Sequence, residues 1–424
     1  MFSFNIPAVT DVALAVLALS GVAELVQKGR AGWSLPIGLA IGWAAFVLLS
    51  AIYATALDLP GRHFGSIGKH LPLALGPFAA ISLNAARRRA GASINDLLTL
   101  FLAGLVIGAA LMLLRNGAIG TLTGPEMQSD NSVFGAVNRN FAGLACGLLI
   151  IASAGILLEQ IPTLRTRPAA GASVIAALIL SVGTASVLLE LLQSRTALIA
   201  TIFSALVWLI IVVVSAMRLR VGAWRARIFV LMGPLVFAAL AVLSILIFQK
   251  LSERPLMQGP LAELAAAGPA ILSGRLADVA SGLSGAESRL QLLAVALYLI
   301  SQRPWLGWGP DASLLIGLVS PFPDLKELNQ FHNGYIQVAV SFGVLGTLLL
   351  LALLMAVIWS AITAYGRRSG SDKIMPAPFG TAVALAVYVA STNGTETILF
   401  VKPCAVVCVI LAALACLPNK AVRA

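Results

Sequence analysis

The residues best equipped for chemistry in this sequence are a histidine and a small set of arginines. His332 lies in the run Asn329-Gln330-Phe331-His332-Asn333-Gly334-Tyr335, at the end of the longest polar stretch of the chain. The other two of its three histidines, His63 and His70, are expected to share one short loop. An imidazole titrates near neutrality, so His332 can accept a proton without a large prior shift. A histidine where a water-exposed loop re-enters an apolar run can equally cap a helix, and position alone does not separate the two roles. Arg195 fills the short connection Ser194-Arg195-Thr196 between two apolar runs, with Glu190 nearby. A guanidinium there either snorkels to water or presents a forked donor to a phosphate or diphosphate. Arg289 opens the stretch that stops at Arg303-Pro304, with Glu287 as a ready surface partner. Arg139 and Asn140, in Asn138-Arg139-Asn140-Phe141, stand at the mouth of a further apolar run.

Several chemistries lack their residues. The 17 acidic residues form no D-x-D pair that would hold a metal and a sugar nucleotide. There is no G-x-x-x-x-G-K-[ST] loop for ATP, no H-E-x-x-H and no G-x-S-x-G elbow. The four cysteines (Cys146, Cys404, Cys408 and Cys416) sit inside apolar runs and read as small packing residues, not a disulfide framework or metal set. No cofactor is expected, so energy has to arrive with an already activated substrate.

The elements that must position these residues are membrane helices. With 59% hydrophobic residues, a mean hydropathy of +0.96 and only 11% charged residues, the chain falls outside the soluble class, where charged residues make up about 25%. Apolar runs long enough to cross a bilayer recur near 8–26, 35–55, 71–86, 94–114, 141–159, 171–191, 197–217, 228–248, 343–363, 378–391 and 398–416. The pattern predicts an all-α polytopic membrane protein with about 11–12 transmembrane helices. The first run has no basic segment ahead of it and no small-residue cleavage site, so it reads as a permanent span.

The net charge of +11 is topology more than a nucleic-acid signal. Arg87-Arg88-Arg89, Arg165/Arg167, Arg218/Arg220/Arg225/Arg227 and Arg367/Arg368/Lys373 each follow directly on an apolar run. That is the positive-inside pattern, with membrane lipids and no nucleic acid as the partners it implies. With those clusters on the cytoplasmic side, the stretch from Gln249 to about Ser341 faces outward. The chain then divides into an N-terminal bundle (1–248), an outer loop domain (249–341) and C-terminal helices (342–424). Helical spacing within 261–301 predicts that the loop is ordered. Ser288-Arg289-Leu290 opens a short helix lying on or dipping into the outer surface. His332 is expected on a short interfacial helix just before Phe342-Gly343-Val344-Leu345-Gly346, whose glycines break one helix and start the next span.

Taken in order, these motifs resemble one family. An N-x-N-F run at a span mouth comes first, then an S-R-[TG] turn between spans, then S-R-[LM] ahead of a loop helix. "RPWLGWGPDA" and "NQFHNGYIQVAVSFGVLG" follow. The combination, over roughly residues 138–346, is similar to the O-antigen ligase-like family, which includes O-antigen ligases, O-antigen polymerases and related oligosaccharide transferases. The resemblance implies a glycosyltransferase C-type membrane fold that works without metal at the periplasmic face of a bacterial inner membrane. It implies an undecaprenyl-diphosphate-linked glycan as donor and, for a ligase, lipid A–core as acceptor. Arg195 and Arg289 match the arginines that bind the diphosphate, and His332 matches the histidine that serves the acceptor hydroxyl. Arg139, Asn140 and Asn333 are further candidate substrate contacts. At Arg139 the chain departs from the N-P-N that many members carry.

Two other readings stand beside it. Polymerases and protein O-oligosaccharyltransferases share the donor and differ in the acceptor; the alanine-rich loop, a plausible dock for an acylated acceptor, favours the ligase. A transporter or flippase for a lipid-linked sugar is a different class. It calls for ionisable groups near the midplane and paired interrupted helices, whereas Asp11, Glu24, Asp96 and Glu190 lie mostly towards span ends.

Overall fold

A computed structural model of the chain describes residues 7–29, 34–91, 139–160, 168–191, 195–218, 266–278 and 288–366. Its helices are α1 (Pro7–Lys28), α2 (Leu35–Ala56), α3 (His63–Arg89), α4 (Arg139–Gln160), α5 (Pro168–Leu191), α6 (Arg195–Arg218), α7 (Ser288–Gln302), the short α8 (Leu315–Val319) and α9 (Gly334–Gly366). Single 3₁₀ turns at Ala312–Leu314 and Pro323–Leu325 flank α8. No strand occurs among the described residues.

This is what an apolar chain must do in lipid, where every backbone N–H and C=O needs a partner within its own helix. Three described helices are long and apolar enough to cross a membrane: Leu35–Ala56, Ala172–Leu189 and Gly334–Val357. Leu14–Gln27 and Ala197–Trp208 are shorter apolar helices. The all-α membrane character expected from the sequence is therefore present. The expected runs at 94–114, 228–248, 378–391 and 398–416 lie outside the described residues.

Two cores hold the elements together. The first joins α2 (Ala40, Trp43, Val47), α3 (Leu73, Ala74), α4 (Leu148, Ala152), α5 (Ala185, Leu189), α6 (Ala197, Ala200) and α9 (Val338, Phe342). Its many alanines let helix backbones approach closely, which matters in a bilayer because burying apolar surface against lipid gains little. Trp43 and Phe46 meet the Phe342 ring edge-on, at centroid distances of 5.4 and 6.1 Å. Outward positions such as Leu19, Leu180 and Trp359 stay exposed and apolar, as lipid-facing positions should. The second core gathers Leu292, Val295 and Leu299 of α7 with Leu315, Ile316, Phe322, Leu325, Phe331 and Val340.

α7 forms the short helix expected over this stretch, and its Gln291, Leu292, Ala294, Val295, Ala296 and Leu299 are buried. What buries them is the second core, supplied in part by residues as far on as Val340, which no local pattern announces.

Candidate active site

The site is built where α9 breaks. Gly343 has φ +63° and ψ −162°, a conformation essentially reserved for glycine, at a kink where two helices meet within α9. The break frees backbone groups that the helix would normally pair, and the turn after α7 takes them up. Trp308 N donates to the Val340 carbonyl at 3.0 Å, and Gly309 N to the Ser341 carbonyl at 2.8 Å. In return Val344 N donates to the Pro304 carbonyl at 2.7 Å, and Leu345 N to the Trp305 carbonyl at 3.3 Å. Two backbones this close leave no room for a Cβ. One added at Gly343 would overlap the Trp305 carbonyl, and one at Gly307 the Ser341 peptide. The P-x-x-G-x-G run and the glycines beyond His332 are thus two halves of a single joint.

His332 stands two residues ahead of α9, whose N-terminal part leads from it to that joint. It lies in the loop ahead of α9, not on a helix as expected, and carries φ +50°, one of two positive-φ non-glycine residues among the described residues. Both neighbours are fixed. Phe331 is buried in the second core, and its N–H donates to Gln337 Oε1 at 3.4 Å. Asn333 caps α9: its Oδ1 accepts from Tyr335 N at 3.0 Å and Ile336 N at 3.1 Å, and its carbonyl accepts from Gln337 N. The half-buried imidazole is therefore presented between an anchor and a cap, with the Gln330 side-chain amide 3.5 Å from its Nδ1.

A second set of contacts ties the joint to the N-terminal end of α3. Asp311 accepts from Arg62 N at 2.8 Å and from Ser66 Oγ at 2.6 Å, with Lys69 Nζ at 3.5 Å. Burial pushes the Asp311 carboxyl upward, but the Ser66 hydroxyl, the Arg62 N–H and the Lys69 ammonium outweigh it and hold it below the usual carboxylate range. His70 is buried, donates from Nε2 to the Pro310 carbonyl at 3.0 Å and meets the Phe342 ring edge-on at 4.8 Å. His63 and His70 thus lie on α3, not in a loop, and the latter supports the joint from beneath.

The other sequence candidates are placed less completely. Arg289 is exposed at the start of α7, whose far side packs into the core that also buries Phe331. Arg195 opens α6, whose Ala197 and Ala200 share the first core with Tyr335 and Val338 of α9. Arg139 opens α4 and is followed there by Asn140. The side chains of Arg195, Arg139 and Asn140 lie outside the described residues. Among the described residues no group of His, Cys, Asp and Glu is arranged to hold a metal ion.

Sequence reasoning missed Asp311, Ser66, Lys69, Arg303, Tyr53 and Trp308. Asp311 is the penultimate residue of RPWLGWGPDA, but its partners lie some 245 residues earlier, a pairing no single sequence displays.

Residues 176–351 match the family model described as O-antigen ligase. Over that stretch the chain is similar to the O-antigen ligase-like family, as its motifs implied. The matched segment takes in Arg195, Arg289, the 303–311 turn, His332 and the α9 break. It supports O-antigen ligase- or polymerase-type activity. No curated protein matches the chain.

Proposed function

We propose that this O-antigen ligase-like membrane protein transfers a glycan from undecaprenyl diphosphate to a hydroxyl of lipid A–core, on the periplasmic face of the inner membrane. The observation that carries the reading is His332, held at positive φ between a buried anchor and a helix cap within the matched segment. A residue kept in a sparsely populated backbone region by its surroundings is a mark of functional sites.

In this reading the donor is already activated. A polyprenyl diphosphate leaves readily once its growing negative charge is stabilised, and Arg195 and Arg289 supply that electrostatic help. The acceptor hydroxyl is a poor nucleophile at neutral pH, and the neutral His332 imidazole takes its proton as the new glycosidic bond forms. The diphosphate departs from the opposite face, inverting the anomeric carbon. General-base help of this kind contributes about 10²–10⁴-fold. The Gln330 Nε2 lies 3.5 Å from His332 Nδ1 and flanks the base on that side. Asn333, Arg139 and Asn140 remain candidate substrate contacts; capping already occupies the Asn333 oxygen. The outer domain at 249–341 and a glycosyltransferase C-type fold complete the proposal.

The deciding experiment supplies purified protein and lipid-linked donor separately with lipid A–core, with further donor, and with a hydroxyl-bearing protein. Product on lipid A–core alone is expected. Product only from donor added to donor assigns a polymerase, and product only on protein an O-oligosaccharyltransferase. Donor movement across vesicles without any acceptor would replace the enzyme by a transporter. Within this scheme Arg195→Glu should abolish donor binding.

A further inference from the structure

Arg303 has surroundings that the proposed reaction leaves unused. Its Cζ lies 4.8 Å from the Trp308 ring centroid, and its Nη1 donates to the Tyr53 hydroxyl at 3.1 Å. Trp308 is itself fixed, its Nε1 donating to the Leu299 carbonyl at 2.8 Å. A stacked indole and a phenol set the plane of the half-buried guanidinium without neutralising it. The ion pairs among the described residues join other groups, Lys69 with Asp311 and Arg89 with Glu24. An oriented arginine that keeps its charge and has no described carboxylate beside it is arranged for an anion that comes from outside.

The neighbouring surface says what kind of anion. Trp305 is 66% exposed and Leu306 is exposed beside it. Their turn is bonded through Pro304 and Trp305 to Val344 and Leu345, exposed apolar residues of the candidate span Gly334–Val357. A guanidinium fork and an exposed apolar surface on a candidate span therefore lie within a few residues of each other. The anionic group that membrane amphiphiles commonly carry is a phosphate.

We propose that Arg303 is a phosphate-binding residue for a membrane-embedded amphiphile, holding it at the edge of the joint between the 303–309 turn and α9. The assignment rests on the proposed function, in which the donor is a lipid diphosphate. A phospholipid headgroup offers the same chemistry from a second source.

The test uses the full chain in phosphatidylcholine nanodiscs and measures equilibrium binding of radiolabelled undecaprenyl diphosphate, with and without excess phosphatidylglycerol. Arg303→Gln should weaken binding about tenfold or more, and Arg303→Lys, which keeps charge but loses the fork, about threefold. Phosphatidylglycerol that displaces the probe from wild type identifies a phospholipid headgroup as an occupant; failure to displace it identifies the lipid diphosphate. Wild-type affinity in a folded Arg303→Gln protein overturns the proposal. Should that variant not fold, wild-type affinity in Arg303→Lys overturns it equally. If wild type transfers glycan while Arg303 variants bind normally, only this inference falls. If wild type neither transfers glycan nor binds the diphosphate, the proposed function falls. Direct phosphatidylglycerol binding then decides Arg303, and binding that ignores Arg303→Gln overturns its role as well.

Discussion

Gly343→Ala should be among the most damaging single-atom-group changes in the protein. The residue holds φ +63° and ψ −162°, and a Cβ there would overlap the Trp305 carbonyl, which is backbone and cannot swing away. Holding a non-glycine residue in such a region costs about 1–3 kcal/mol. The overlap must also displace the hydrogen bonds from Val344 N and Leu345 N to the 304–305 carbonyls. These contribute about 1 kcal/mol each, so the expected loss is about 3–5 kcal/mol. At roughly 1 °C per kcal/mol for a chain of this length, this lowers the melting temperature by roughly 3–6 °C. Gly38→Ala is the internal control, because its Cβ would meet nothing and it lies in helix α2. Alanine there should be neutral or stabilising by up to about 1 kcal/mol. Intrinsic-fluorescence melting of both variants in detergent, followed by the transfer assay, gives the comparison. A Gly343→Ala protein that melts and turns over like Gly38→Ala would refute this reading of the joint.

Three further outcomes are expected. Asp311→Asn should destabilise the protein at neutral pH. The native Asp311 carboxyl titrates lower than in the unfolded chain, so its contribution is complete above the unfolded pKa of about 4 and is lost as pH falls through the folded value. The melting-temperature gap between wild type and variant should therefore close on acidification; a constant gap contradicts the ionic account. Asn333→Ala should cost about 1 kcal/mol through loss of the cap, with Asn333→Asp restoring most of it. Equal melting of all three proteins would remove the capping role. Gln330→Leu should shift the pH dependence of turnover without lowering donor affinity, read from kcat profiles and binding side by side; an unmoved profile separates Gln330 from His332.

How much of this was legible in the sequence varies with range. The helices were, because twenty-residue apolar runs fix their own hydrogen bonding. The runs read at 35–55 and 171–191 correspond to α2 and α5 within a few residues. The break at Gly343 was legible from its glycines, and two helices meet there across a kink. His332 was legible as a type and a position, but not its loop conformation, since a positive φ on a non-glycine is imposed by Phe331 and Asn333 on either side. The tie from Asp311 to Ser66, the stack of Arg303 on Trp308 and the burial of α7 depend on tertiary approach. Local periodicity carries no trace of them.

The most direct test of the central claim is single-turnover glycan transfer by His332→Ala, with purified lipid-diphosphate-linked donor and lipid A–core. The expected result is a fall in rate of about 10²–10⁴-fold with donor binding and melting temperature preserved. Near wild-type turnover in that variant would contradict the assignment of His332 as the base.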